Sequence, residues 1–145
     1  MRHLFTLRPG HGPQIIHEGD GGADNAYIYW ARISDNGLII GRTEGGRGFL
    51  WTGVGKAPLP GQPLAISAQG TTIVGEANGG YVWQGGSVES LNDLFSSYLK
   101  QGDTLGAAFG ITPDGRFVTG NGARRGQAPF VYVGDLKLVR GGSGQ

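Results

Sequence analysis

The sequence predicts an all-β fold built from repeats of short antiparallel sheets, with one inserted helix near residues 90–100. One phrase, in which Ile and Ser or Thr are followed by two residues and Gly, begins at Ile33, Ile66 and Ile111. Recurrence of one supersecondary unit is typical of repeat proteins. Glycine supplies 30 of the 145 residues and separates apolar runs, with no Gly-X-Y period. This distribution favours many short strands joined by turns over collagen or disorder.

Each copy of the phrase predicts a strand, a tight turn and a second strand. The turns are placed at residues 36–37, 69–70 and 114–115, where Asn, Gln or Asp precedes Gly. Such pairs favour two-residue hairpin turns because these turns require positive φ. Ser34 and Ser67 recur at the starts of these turns. We interpret them as turn-stabilising hydroxyls, since one chain would not carry several equivalent nucleophiles.

An aromatic strand follows the hairpin in every copy. These strands lie at residues 48–52, 80–84 and 129–133. Trp51, Trp83 and Tyr132 take equivalent places in this alignment, which predicts an aromatic core ladder between the units. The predicted repeat units span about residues 31–52, 65–84 and 108–133 of a single domain, 1–140, and a flexible tail covers 141–145.

The spacing of the copies predicts the inserted helix. The first two copies begin 33 residues apart and the next two 45 residues apart. Apolar residues recur at helical intervals in the longer gap, at Leu91, Leu94, Phe95, Tyr98 and Leu99. We therefore expect one helix over residues 90–102. Ser90 and Asp93 resemble a capping pair, and Gly102 is suited to ending the helix.

Charge and composition exclude several classes of function. The formal net charge is +1, from 12 basic and 11 acidic residues, so no overall field favours nucleic acid. The chain has no cysteine, which excludes disulfides, thiolate metal sites and cysteine nucleophiles. No apolar stretch approaches the length of a membrane-spanning helix, and the opening residues lack a secretory apolar region. We expect protein partners, with no nucleic acid and no membrane insertion.

The motifs give no coherent reactive centre, so the expectation is that the chain is not an enzyme and has no cofactor. Residues 53–57 look like part of a phosphate loop, but Ala57 replaces the hydroxyl that would hold Mg²⁺. Residues 120–126 are rich in glycine, yet they lead into a further strand where a nucleotide-binding motif would open a helix. A small hydrolase with dispersed carboxylates is the least favoured alternative.

Metal-compatible side chains cluster near the beginning of the chain. They are His11, His17, Glu18, Asp20 and Asp24. Their intervals match neither a zinc pattern nor a calcium-binding loop. A polar, glycine-rich loop explains them more simply, and no metal is predicted.

The candidate binding residues lie in loops that follow the second strands and beside an early aromatic run. Non-identical loops on one repeated face are where a repeat scaffold varies its contacts, and exposed aromatic side chains suit recognition. The predicted set is Tyr27, Tyr29, Trp30, Arg42, Glu44, Asn78, Asn121, Arg124 and Arg125.

Two stretches resemble the bacterial extracellular repeats known as HAF repeats. These are residues 65–83, and residues 87–94 continuing through 114–120. The resemblance covers roughly residues 31–136, although the His-Ala-Phe triplet of the family is replaced in every copy. It implies β-propeller-like blades and a surface or extracellular location, and it transfers no catalytic residues. Three to four units fall short of a usual closed ring, which leaves a homo-oligomer, a partly open stack or a fragment as alternatives.

The sequence thus predicts a non-enzymatic β-repeat module of a cell-surface, extracellular or virion assembly. The module would act through its loop surfaces and through self-association as a homo-oligomer. The alternative function is a lectin-like carbohydrate-binding module that uses exposed aromatic side chains, with glycans as its partners.

Overall fold

The computed structural model describes residues 2–19, 28–43 and 46–140, and the side chains of residues 2–6, 8, 11, 15–19, 28 and 29 lie outside that description. Strands dominate the described chain, which confirms the all-β prediction. The strands are β1 (Arg2–Arg8), β2 (His11–Gly19), β3 (Ile28–Ile33), β4 (Ile39–Thr43), β5 (Gly48–Trp51), β6 (Lys56–Leu59), β7 (Gln62–Ile66), β8 (Thr72–Glu76), β9 (Gly80–Gln84), β10 (Ser87–Ser90), β11 (Asp103–Ile111), β12 (Phe117–Arg124) and β13 (Phe130–Asp135). The helices are α1 (Leu91–Leu94), a 3₁₀ turn (Ser96–Tyr98) and α2 (Leu136–Arg140).

The strands form four antiparallel sheets, and each sheet joins strands that are consecutive in the chain. β1 pairs with β2, and the first, second and third sheets comprise β3–β6, β7–β10 and β11–β13. The three predicted repeat units correspond to these three sheets. Each of the first two sheets has a fourth strand, β6 or β10, that the sequence analysis did not predict as part of the unit.

The turns between the first two strands share one hydrogen-bonding pattern. The amides of Gly37, Gly70 and Gly115 donate to the carbonyls three residues earlier, at 3.1, 3.0 and 2.8 Å. These glycines have φ of 88°, 71° and 75°. The described residue before each glycine does not have positive φ, so the prediction of two-residue turns is wrong. The glycine is instead the fourth residue of the turn. The loops contain three residues in the first unit, 35–37, and four in the other two, 68–71 and 113–116.

A hydroxyl stabilises each of these turns. The amide of Leu38 donates to Ser34 Oγ at 2.9 Å, and the amide of Thr72 donates to Ser67 Oγ at 3.0 Å. In the third unit the amide of Phe117, the first residue of β12, donates to Thr112 Oγ1 at 3.0 Å. These bonds confirm the structural interpretation of the recurring serines, and they satisfy an amide where the chain leaves the turn.

The sheets stack in chain order, with apolar clusters between them. The cluster between the first and second sheets contains the buried residues Ile40, Leu50, Leu59 and Ile73. The cluster between the second and third sheets contains Val74, Val82, Leu91, Phe95, Leu105, Ala108, Val118 and Leu136. A further buried cluster of Ile39, Phe49 and Trp51 includes the alternate residues of β4 and β5 and lies on the other face of the first sheet.

Turns of successive units are also joined by backbone hydrogen bonds, which we call the turn ladder. The amide of Asp35 donates to the carbonyl of Ala68 at 2.8 Å, and the amide of Ala68 donates to the carbonyl of Pro113 at 2.9 Å. Asn36 Nδ2 adds a bond of 2.9 Å to the carbonyl of Gln69. The three turns therefore occupy equivalent positions, and each donor lies in the earlier unit.

The strand pairing corrects the predicted aromatic ladder. Trp51 lies opposite Ile39 in the first sheet, and Trp83 lies opposite Ile73 in the second. When the units are aligned on their turns, Gly134 takes the position of these tryptophans in the third sheet. It lies opposite Val118, which aligns with Ile39 and Ile73. The tryptophan position of the third unit therefore carries no side chain.

Tyr132 takes a different place from the two tryptophans. It lies opposite Gly120, as Phe49 and Tyr81 lie opposite the corresponding glycines of their own sheets. The prediction that Tyr132 is equivalent to Trp51 is wrong, because the equivalent residue, Gly134, lies two positions further along β13. Because side chains alternate along a strand, a shift of two residues keeps the ring on the same face.

Phe95 fills the position that Gly134 leaves open. A methyl group added at Gly134 would lie 2.7 Å from Cζ of Phe95. The Phe95 side chain is buried with Leu91 and Val118, and it comes from the segment between β10 and β11. The insertion therefore supplies to the third unit the aromatic ring that the tryptophans supply to the first two.

The inserted segment is less helical than predicted. It forms only the single turn of α1 and a 3₁₀ turn, and Ser90 ends β10 without a side-chain capping bond. Asn92 accepts from the amide of Leu105 at 2.7 Å and donates to its carbonyl at 2.9 Å. These tertiary contacts outweigh the helical spacing, since a short helix is marginal alone. Gly102 ends the segment with φ of 89°, as its predicted stop position requires.

Candidate association surface

The third sheet has an apolar face that the described chain leaves open. Its large side chains, which we call the outward face, are Phe117, Val131 and Val133. Val131 and Val133 on β13 are 72% and 73% exposed. They lie opposite Asn121 and Thr119 of β12, on the side of the sheet that points away from buried Val118.

The counterparts of Val133 in the earlier units are buried. Val133 aligns with Leu50 and Val82, which are 4% and 0% exposed. Phe117 likewise aligns with Thr72, which is 1% exposed. In the first and second sheets this face is covered by the next sheet. The outward face thus occupies the position through which the first two sheets contact the next sheet.

Ion pairs stand at both ends of β13. Arg116 donates to both carboxylate oxygens of Asp135, at 3.1 and 2.9 Å, and its guanidinium carbon lies 4.8 Å from the centre of the Phe117 ring. Arg124 makes a similar pair with Asp103, at 2.6 and 3.0 Å. The arginine hydrogen bonds lower the pKa of both aspartates. These charges stay ionised and are neutralised within the sheet, Asp135 on the side of the outward face and Asp103 on the side of Val118.

The predicted binding residues lie on all three sheets. Trp30 is half-buried in β3 against the cluster between the first and second sheets, with the Arg32 guanidinium carbon 5.2 Å from its ring centre. Arg42 lies opposite Trp30 on β4. Tyr27 and Glu44 lie outside the described residues, and of Tyr29 only the backbone, in β3, is described.

The other predicted residues belong to the second and third sheets. Asn78 is exposed in the turn between β8 and β9 and has φ of 55°, a left-handed conformation that asparagine tolerates. Asn121 lies on β12 on the same side as the outward face, and Arg125 is exposed just after that strand. Arg124 is engaged with Asp103. Of the predicted set, Asn121 and Arg124 lie closest to β13 in the sheet.

Two surface clefts adjoin the third sheet. A cleft of about 510 Å³ lies beside α2, and its rim carries Arg116, Lys137 and Arg140. Arg116 pairs with Asp135, and Arg140 pairs with Glu89 of β10, so much of this basic charge is already used within the fold. A second cleft of about 300 Å³ includes Glu76 and Asn121 among its lining residues.

The described part of the chain shows no metal-binding group. No three histidine, aspartate or glutamate side chains gather among the residues described in 2–19, 28–43 and 46–140. The cluster weighed from the sequence, from His11 to Asp24, falls on side chains or residues outside the description. None of the helices in the described ranges has the length and apolar character needed to cross a membrane.

The sequence analysis did not single out the outward face. The alternation of Val131 and Val133 around Tyr132 is the pattern of a strand with two distinct faces. Their exposure depends on the register of β13 and on the third sheet having no further sheet against this face among the described residues. All three tryptophans are buried or half-buried.

Comparison with protein-family models, curated proteins and solved structures gives no match. The resemblance to HAF repeats and the functions predicted from the sequence therefore stay predictions. The all-β architecture with repeated meanders is what the coordinates themselves establish.

Proposed function

We propose that this chain is a non-enzymatic β-repeat module that acts by binding protein surfaces, including copies of itself, within a larger assembly. One observation carries the proposal. The outward face exposes Val133, Val131 and Phe117, whereas the first two units bury Leu50 and Val82 at the position of Val133. A contiguous exposed apolar face on a folded domain is typical of a protein interaction site.

The stacked meanders support a propeller-like arrangement of the units. Each of the first two sheets has four antiparallel strands, and each first strand packs against the preceding sheet. This geometry is typical of propeller blades, whose stacked faces form the core. The resemblance to HAF repeats supports placing the assembly at a cell surface, in the extracellular medium or on a virion.

The proposed function separates a rigid scaffold from a contact surface. The clusters between the sheets hold the units in register, and the turn ladder fixes their order. The outward face adds little to the packed core because its side chains remain in contact with solvent. Burial of this apolar area against a partner would instead favour association, by about 25 cal/mol for each Å² removed from water.

A pair of charge-introducing variants tests this proposal. Val131→Lys replaces an exposed side chain of the outward face, and Val54→Lys replaces a loop side chain that is 98% exposed. We expect Val131→Lys to reduce the mass of the assembly measured by light scattering, or the amount of partner protein crosslinked to the chain in the cells that produce it. The midpoint of thermal unfolding should stay unchanged. Val54→Lys should have no effect. Equal behaviour of both variants and the unaltered chain in every assay would contradict the proposal.

A further inference from the structure

The outer edges of the three sheets differ in how they are protected against strand pairing. The edge strand β6 carries Lys56 and Pro58, and the edge strand β10 carries Glu89. Charged residues and proline on an edge strand discourage pairing with another chain. β13 carries its one charge, Asp135, at its last position, and its first five residues contain neither a charge nor a proline. Among the described strands β13 pairs only with β12.

The third unit is poorly suited to continuing the stack in the manner of the first two. In the turn ladder, Asp35 and Ala68 donate their amides to the following unit. The corresponding residue of the third unit is Pro113, which has no N–H to donate. Asp114 replaces the donor Asn36, and its carboxylate instead accepts from Thr112 and from the following backbone. A further unit would lack these hydrogen bonds.

We propose that β13 pairs antiparallel with β13 of a second copy of this chain, around a two-fold axis near Tyr132. The inference rests on the proposed function, because it assigns the self-association to one strand edge. A two-fold contact requires a self-complementary surface. Centring the axis on Tyr132 places Val131 of each copy opposite Val133 of the other, and β-branched cross-strand pairs of this kind stabilise sheets.

The two-fold symmetry fixes the antiparallel direction of this pairing. A two-fold axis perpendicular to the sheet relates two identical edge strands in antiparallel orientation, and it keeps the outward faces of both copies on one side of the joined sheet. The charges near the two ends of β13 are already paired within each copy, Asp135 with Arg116 and Arg124 with Asp103. The pairing therefore depends on the strand edge and its valines and does not require charge attraction between the copies.

The pairing would join two three-stranded sheets into one sheet of six strands. The outward faces of both copies would then form one continuous apolar surface across the axis, since Val131 and Val133 point to the same side of β13. The backbone groups on the outer edge of β13 would gain the partners that β6 and β10 give to the third strands of the other sheets.

Sedimentation velocity over a concentration series tests the assignment. We expect a dimer for the unaltered chain, and a decrease of about tenfold or more in the association constant for the double variant Val131→Lys/Val133→Lys. The matched control is Val88→Lys, which replaces an exposed valine on β10, the edge strand that carries Glu89. It should leave the dimer unchanged. Circular dichroism of each variant would verify that the fold is retained.

Introduced cysteines test the register independently, because the chain contains no cysteine of its own. A mixture of Val131→Cys and Val133→Cys copies should form more intermolecular disulfide than either variant alone. A monomer at the highest soluble concentration would overturn the inference while leaving docking to other proteins open. A dimer insensitive to the double lysine variant would overturn the β13 assignment alone, and the proposed self-association would stand.

Discussion

The third unit and the first two solve the same packing problem with different parts of the chain. In the first and second sheets a tryptophan on the third strand fills the space beside a buried isoleucine. In the third sheet Gly134 occupies that position, and Phe95 enters from the inserted segment. The comparison teaches that a repeat can keep its packed volume while moving the side chain to a distant part of the sequence.

The largest expected effect is the removal of this relocated ring. Phe95→Ala should lower the free energy of unfolding by about 3 to 5 kcal/mol, because a buried aromatic side chain is lost and a cavity remains. Tyr98→Ala is the matched control, since Tyr98 lies in the same segment and is 60% exposed. Chemical denaturation would measure both. A similar loss in the two variants would contradict the assigned role of Phe95.

A substitution on the glycine sharpens the same comparison. Gly134→Ala should destabilise the unaltered chain by about 1 to 3 kcal/mol, because the new methyl group meets the Phe95 ring. The same substitution in the Phe95→Ala background should cost much less. Denaturation of the two single variants and the double variant completes a double-mutant cycle. Additive losses would show that the two residues do not compete for one space.

The close approach of neighbouring turns provides a second comparison between units. Gly37 and Gly70 have equivalent positive φ, but only Gly70 would overlap a neighbour, Leu38, if it carried a methyl group. Gly37→Ala should cost about 1 to 2 kcal/mol from backbone strain alone. Gly70→Ala should cost about 1 to 3 kcal/mol more. Thermal or chemical unfolding would measure this difference. Equal losses of unfolding free energy in the two variants would contradict a close contact between the turns.

The attachment of the inserted segment is expected to depend on Asn92. Asn92→Ala should lower the free energy of unfolding by about 1 to 2 kcal/mol, because the amide and carbonyl of Leu105 lose their side-chain partner. Asn36→Ala, in an exposed turn of the first unit, removes a bond to Gln69 and should cost less than about 1 kcal/mol. Hydrogen exchange at the Leu105 amide would distinguish local release from global destabilisation.

The smallest expected effect concerns acid. The pKa values of Asp103 and Asp135 are lowered by arginine hydrogen bonds, so their contribution to stability is present above the unfolded pKa of about 3.9. It is lost as the pH falls through the lower folded values. Asp103→Asn/Asp135→Asn should therefore show a shallower loss of stability between about pH 5 and pH 2 in urea titrations. An unchanged slope would contradict the role of these pairs.

The sequence was sufficient to predict the repeated hairpins because each turn carries its own local signal. Ser34 and Ser67 stabilise turns as the pattern indicated, and Gly41 and Gly75 mark equivalent strand positions. The longer interval before the third copy was also correctly assigned to an insertion after residue 90. These features depend on neighbours in the chain, which a sequence displays directly.

The candidate surface depended on information that local patterns do not contain. The register of β13 differs by two residues from the alignment of aromatic residues, so the position of Gly134 could not be inferred from spacing. The helical spacing of Leu91, Leu94 and Phe95 describes a face that packs into the core, but tertiary contacts limit the helix to a single turn. Exposure of Val133 follows only from the order of the sheets.

The direction of the turn-to-turn bonds bears on how an array of this type could lengthen through duplication. A copy of the second unit inserted before the third could accept a hydrogen bond from the amide of Ala68 and donate one to the carbonyl of Pro113. A copy added behind the third would meet a proline that offers no hydrogen. Engineered chains with additional units should accordingly be built by repeating the second sheet, while the segment that begins at Asp103 keeps its final place.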